Sequence, residues 1–212
     1  MAAMNSKAPL PIYNIQVLKS GFFLLSCLPV LFLLYRFLFD NLGANPIEEI
    51  IRYLGLWAYH FLILTLSISV LREQFRLNRL FFLRRMFGLF TFFYASIHFL
   101  AYIVLDQYFD WMEIWLDIKD RPLITSGFLA LLLLLPLTIT SNIKSIQYLG
   151  ALQWRRLHKL IYLISICALL HYYWMVKLVG ISTFIYLFIL TMLLFYRIPF
   201  IRRIKWFQGQ SN

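Results

Sequence analysis

Charge is what this sequence has least of. Only 14% of its 212 residues are charged and just nine of those are acidic, while 62% are hydrophobic. A soluble domain is about a quarter charged, so too few charges are present to cover a surface facing water, and the mean hydropathy of +0.75 agrees. No Gly/Ser/Pro-rich linker, low-complexity tract or internal repeat divides the chain, which predicts a single domain over residues 1–212. The two cysteines, Cys27 and Cys167, fall inside apolar segments; a disulfide framework is not expected, and both read as small buried hydrophobes. No small-residue cleavage site follows the first apolar segment, where Phe37, Leu38 and Phe39 stand instead, so that segment reads as a retained helix.

Leucine and phenylalanine runs fill the length that charge leaves. A helix needs about 20 apolar residues to cross hydrocarbon. Six segments qualify or nearly do: residues 20–39, 50–71, 86–105, 123–140, 157–176 and 179–197. Lipid does not tolerate open backbone polar groups, so these segments must be helices. The expected fold class is an all-α integral membrane protein, a bundle of six transmembrane helices. Lys177 to Gly180 is expected to form a tight hairpin between the last two.

With the N-terminus cytoplasmic, fifteen of the twenty Lys and Arg residues lie inside, and only Arg36, Arg52, Lys119, Arg121 and Lys177 lie outside. Of the nine acids only Glu73 is inside. This positive-inside bias predicts that both termini are cytoplasmic. The net charge of +11 then reflects topology and attraction to anionic headgroups, not nucleic-acid binding.

An ionisable residue within a span is costly and points to function. All four histidines lie in or at spans: His60 in the second, His98 in the third, His158 and His171 in the fifth. No span carries an Asp or Glu suited to a proton relay, and imidazole without carboxylate suits haem iron better than zinc or calcium. At about 1.5 Å per residue, His98 lies roughly 20 Å beyond Arg85 and His171 roughly 18 Å beyond Lys159, a matching depth in the outer half. His60 reaches the same level and competes as a ligand. His158 lies near the inner face, where a second haem would set two irons in series. Thirteen residues apart along the fifth span, His158 and His171 differ by about 140° in azimuth, and no other histidine shares the depth of His158. The alternative for a single intramembrane histidine is an interhelical hydrogen bond; it stands for His60 and His158 above all.

Four groups of residues carry a resemblance. One is Arg84-Arg85-Met86-Phe87-Gly88-Leu89 followed by His98 and Tyr102, and a second is Leu149-Gly150, Trp154, Leu157-His158 and Tyr162. The third is His171-Tyr172-Tyr173-Trp174 with Lys177, and the fourth Arg121-Pro122 with Thr125 and Gly127. Together, over essentially the whole chain, they resemble the MsrQ (YedZ) family, haem-containing membrane subunits of the MsrPQ methionine sulfoxide reductase system. That family lies within the ferric-reductase-like transmembrane superfamily, with the NADPH oxidases. The resemblance implies a bacterial inner-membrane protein with one or two b-type haems and FMN. It implies electrons taken from the quinone pool or a cytosolic flavin reductase and passed to MsrP, a periplasmic molybdopterin enzyme that reduces methionine sulfoxide in oxidised proteins. The family's haem histidines fall on His98, His158 and His171; a histidine at position 60 is not part of its pattern.

His98 and His171 are therefore expected to be axial ligands of an outer haem, with His158 serving an inner redox group, haem or flavin. Arg84, Arg85, Arg155 and Arg156 could pair with haem propionates or a flavin phosphate, or could only fix topology. Trp111 and Trp115, in an acidic amphipathic stretch, are suited to rest on headgroups or to dock the periplasmic partner. Phenylalanines are expected to face lipid. Pro136 is expected to bend the fourth span, with Thr138 and Thr140 satisfying freed carbonyls. Among rival readings, a haem-free transporter would show broken helices and polar groups at midplane, which the spans lack. Another ferric-reductase-like oxidoreductase would carry a cytosolic flavin and nicotinamide domain, whereas about fifteen residues follow the last span. That tail points to a relay subunit.

Overall fold

The computed structural model describes residues 12–75, 80–175 and 181–197. Among them every regular element is helical and no strand occurs: α1 (Ile12–Leu38), α2 (Pro46–Phe75), α3 (Phe81–Ala101), α4 (Trp111–Asp120), α5 (Pro122–Ile139), α6 (Ile143–Leu149), α7 (Ala151–Leu157), α8 (Leu160–Met175) and α9 (Ile181–Phe195). A π-helical turn, Tyr102–Asp106, continues α3. Four helical stretches are long and apolar enough to cross a membrane: Gln16–Leu38, Pro46–Phe75, Phe82–Asp106 and Pro122–Ile139. The described parts of α8 and α9 are shorter, at 16 and 15 residues. The expected hairpin at Lys177–Gly180 lies outside the described residues, as do Lys7, Arg76, Arg79, Arg202, Arg203 and Lys205.

Two antiparallel pairs organise the bundle. In α2–α3, Ile51 lies against His98 at one end and Thr65 beside Gly88 further along. In α5–α8, Leu123 lies against His171, while Thr140 at the far end meets His158 just ahead of α8. The α3–α5 contact joins the pairs, α1 packs on α2 and α3, and α9 closes against α2 and α8. Leu24, Leu28, Phe32, Leu132, Ile166 and Phe188 point outward, as a lipid-facing surface requires. Not every phenylalanine faces lipid, however. Phe61, Phe87 and Phe90 are buried with Tyr94, and the Phe61 ring stacks on Tyr94 at 5.2 Å and on Phe90 at 5.4 Å. Offset ring pairs gain more across a helix seam than against mobile acyl chains.

The region between the fourth and fifth spans is helical where no helix was expected. Gly150, with φ +76°, separates α6 from α7 in a conformation that L side chains rarely adopt. His158 caps α7, and α8 begins only at Leu160. The break overturns the azimuth expected between His158 and His171, because the two residues do not share one continuous helix. Pro136 sits inside α5, and Thr140 donates from its hydroxyl to the Pro136 carbonyl at 2.6 Å.

Two side chains tie the ends together. Tyr94 of α3 is fully buried; its hydroxyl donates to the Ser26 carbonyl at 2.8 Å and accepts from the Val30 N–H at 3.2 Å. Those two groups belong to one rung of α1, beside Pro29. Beyond the π-helical turn, Asp110 caps α4 by accepting from the N–H groups of Met112 and Glu113. Asp117, buried, accepts from Tyr102 at 2.7 Å and pairs with Arg121 at 3.0 Å, so α4 is bolted to the end of α3 and the start of α5. Trp111, Met112 and Trp115 face outward from α4.

Replacing Tyr94→Phe removes the hydroxyl that bridges the Ser26–Val30 rung of α1 and should cost about 0.5–1.5 kcal/mol, read by thermal unfolding in detergent. Asp117→Ala should cost about 1–3 kcal/mol through loss of the acceptor shared by Tyr102 and Arg121. Glu113→Ala, on the exposed side of the same helix, should change stability by less than about 0.5 kcal/mol.

Candidate functional site

Hydrocarbon offers a polar side chain no water, so an imidazole within a span must find its partner in the protein. His98 on α3 and His171 on α8 find theirs the same way. His98 Nδ1 lies 2.8 Å from the carbonyl of Ile51 on α2, and His171 Nδ1 lies 2.7 Å from the carbonyl of Leu123 on α5. A carbonyl oxygen only accepts, so each Nδ1 carries the proton. In a neutral ring the Nε2 then holds a lone pair. Among the described residues neither Nε2 has a hydrogen-bond partner.

The two rings meet between the helix pairs. Their centroids are 6.1 Å apart and their planes are inclined by 75°. Both residues keep some accessible surface although they lie well inside the bundle. Each ring also sits over a glycine of the opposing helix. A Cβ on Gly55 would come within 3.0 Å of His98 Cε1, and one on Gly127 within 2.7 Å of His171 Nδ1.

This donor set fits a haem. A metal held by two imidazoles at about 2 Å each, with the half-width of each ring added, sets the centroids about 6 Å apart. Among the described residues no three His, Cys, Asp or Glu side chains converge. Two imidazoles would leave a bare ion short of the three or four protein ligands it usually takes, whereas a porphyrin brings four nitrogens of its own.

The other expected residues are placed differently. His60 Nε2 is 3.0 Å from the Tyr186 hydroxyl on α9, and its ring abuts Trp57 edge-on at 5.1 Å. His158 Nε2 is 3.2 Å from the Thr140 hydroxyl. Trp154 lies over the His158 ring at 3.9 Å and donates its indole N–H to the Thr140 carbonyl. Thr140 therefore holds His158 and Trp154 at once. Arg84 is partly buried nearby, an electrostatic neighbour of His158 and Arg197, while Arg85, Arg155 and Arg156 are exposed.

Three contributors escaped sequence reasoning. Gly55 drew no reading and Gly127 figured only in the resemblance, because their partners lie more than forty residues away. Arg197 was read only as a topology signal, yet its guanidinium donates to the Leu66 carbonyl at 2.7 Å and lies 5.6 Å from the centre of the Tyr162 ring.

Comparisons with known proteins place the chain in a family. The profile of the family described as ferric reductase like transmembrane component matches residues 54–169. A protein-methionine-sulfoxide reductase heme-binding subunit MsrQ of Azospira oryzae is 42% identical over 186 residues, covering 87% of this chain and 80% of that relative. Proteins of the same name from Herminiimonas arsenicoxydans and Rhodospirillum rubrum are 45% and 44% identical over 162 and 186 residues. These alignments cover 76% and 85% of this chain, and 74% and 88% of the respective relatives. No solved structure matches the chain. With the family profile matched over more than half its length and MsrQ relatives aligned over most of it, the chain belongs to the MsrQ family of ferric-reductase-like transmembrane proteins.

Proposed function

We propose that this chain is the haem b-binding membrane subunit of a methionine sulfoxide reductase system. It relays electrons from the quinone pool or a cytosolic flavin reductase to a periplasmic molybdopterin enzyme of the MsrP type, and so supports repair of oxidised periplasmic proteins. The observation that carries this reading is the His98–His171 pair, two imidazoles 6.1 Å apart with their Nδ1 protons held by backbone carbonyls. Relatives named heme-binding subunits support it.

When bound, haem supplies reversible one-electron chemistry. The protein's part is to present two Nε2 lone pairs. The Ile51 and Leu123 carbonyls keep the protons on Nδ1, which strengthens each imidazole as a donor and stops the rings turning. Further along the bundle, Leu62, Leu66, Leu134 and Ile164 pack an apolar interior between α2, α5 and α8. His60, engaged by Tyr186, is a structural partner in this reading. His158 is assigned to an inner redox group, a second haem or FMN. Arg84 is its foremost anion partner, because it alone of the four arginines is withdrawn from solvent. Arg85, Arg155 and Arg156 would act at the rim.

The proposed setting is the bacterial inner membrane, with residues 1–212 forming one domain of six spans and α8 and α9 supplying the last two. Both termini are cytoplasmic. Arg36 paired with Glu49 at 2.8 Å, and Asp117 with Arg121, mark the outer end. Trp111 and Trp115 on α4 are available there to headgroups or to the periplasmic partner.

Purified protein, oxidised and then reduced with dithionite, should show a b-type Soret shift; fully loaded protein without a Soret band would overturn the reading. His98→Ala and His171→Ala should each abolish the outer haem, whereas His60→Ala should keep it. Haem content by pyridine haemochrome should halve in His158→Ala if the inner group is a haem, and stay constant if it is flavin. Cysteines placed at Glu113 and Lys144 should be labelled by an impermeant maleimide from opposite sides, the first periplasmic and the second cytoplasmic.

A further inference from the structure

The surroundings of His98 and His171 repeat. A carbonyl on one helix (Ile51, Leu123), a glycine four residues on (Gly55, Gly127) and a histidine on the antiparallel partner (His98, His171) recur once in each helix pair. The separation from glycine to histidine is 43 residues in the first set and 44 in the second. In a helix the carbonyl four residues before a glycine already accepts that glycine's N–H. The imidazole lies across that same rung, where a β-carbon would otherwise stand. Clearance is tightest at the second site: a Cβ on Gly127 would be 2.7 Å from Nδ1 and 2.8 Å from Cε1 of His171. On Gly55 it would be 3.0 Å from Cε1 and 3.1 Å from Nδ1 of His98. Other glycines of the bundle lack this feature. Gly88, on the same helix as His98, has Thr65 Cγ2 as its nearest neighbour at 3.8 Å, and nothing lies within 4 Å of the Gly21 position.

The geometry points to Gly55 and Gly127 as positioning residues that, with the carbonyls of Ile51 and Leu123, fix the azimuth of each imidazole and hold the two ring planes nearly perpendicular. This inference rests on the haem reading above and adds to it a specific ligand orientation. The consequence is electronic. Two parallel imidazole planes act on the same iron d orbital and split it from its partner. Planes crossed near 75° act on both orbitals almost equally and leave them close in energy. A ferric low-spin centre of the second kind gives an electron paramagnetic resonance spectrum dominated by one large g value; the first kind gives a three-line rhombic spectrum.

The test uses the full-length, haem-loaded protein in detergent, with Gly55→Ala, Gly127→Ala and Gly88→Ala compared to the parent. The parent should show the strongly anisotropic low-spin signal. Gly55→Ala needs the His98 ring to give by only a few tenths of an ångström, so it should keep haem but shift the signal toward the rhombic form. Gly127→Ala leaves no such room, and it should weaken haem affinity by about 10–100-fold, the usual effect of disturbing a ligand's outer support. Gly88→Ala should match the parent. If Gly127→Ala does not accumulate, Gly55→Ala decides. A Gly55→Ala signal unchanged from the parent overturns the assignment, as does a rhombic parent spectrum. Failure of the haem reading is separately visible, as a parent protein without a Soret band or as His98→Ala and His171→Ala variants that keep the parent's full haem content.

Discussion

A polar group inside a lipid bilayer has no solvent to fall back on, and the polar side chains that bond within these spans answer that constraint in one of two ways. Most turn back onto their own helix. Ser26, Thr65, Thr91 and Ser165 each donate to the carbonyl four residues earlier, at 2.6–2.9 Å. That bond satisfies the hydroxyl and says nothing about neighbouring helices. His98 and His171 are too large and too rigid for it. Their Nδ1 atoms reach carbonyls on the antiparallel partner, so each proton is satisfied only if two helices keep one register. Register and ligand orientation are one constraint at these positions, and the site follows from the same bonds that hold the pairs together.

Close approach is the second half of that constraint. An imidazole can lie against a helix backbone only where no β-carbon stands in the way, and Gly55 and Gly127 provide the two gaps. Helix association in membranes gains little from apolar burial, since acyl chains are as apolar as leucine, so small residues at seams are where backbones come together. Here the small residue admits a side chain instead. Tyr94 uses the same logic without a glycine, placing its hydroxyl in a rung of α1 beside Pro29, where the proline already interrupts the ladder.

The surroundings of His158 are built on a different plan. His158 has its Nε2 against Thr140 and its face under Trp154, and Thr140 is anchored to the Pro136 carbonyl. Near them Arg84 and Arg197 bring positive charge into a partly buried region, with Arg197 holding Leu66 and lying near the Tyr162 ring. The His98–His171 pair is thus poised around two nitrogens that carry no hydrogen bond among the described residues, whereas His158 is embedded in a hydrogen-bonded and aromatic cluster with basic neighbours.

Some of this was written in the residues themselves. Hydropathy and charge scarcity determined the membrane and the all-helical class, because both depend on composition over a window and not on neighbours. The matched depth of His98 and His171 was legible because rise per residue is nearly constant in a helix. What the sequence could not determine was which of His60, His98 and His171 meet. Equal depth leaves azimuth and helix order open, and only packing turned His60 to Tyr186 and set His98 against His171. The break between α7 and α8, the burial of Phe61 and Phe90, and the clearance supplied by Gly55 and Gly127 were likewise decided by tertiary structure. Each depends on a contact between helices far apart in sequence, which no local pattern encodes.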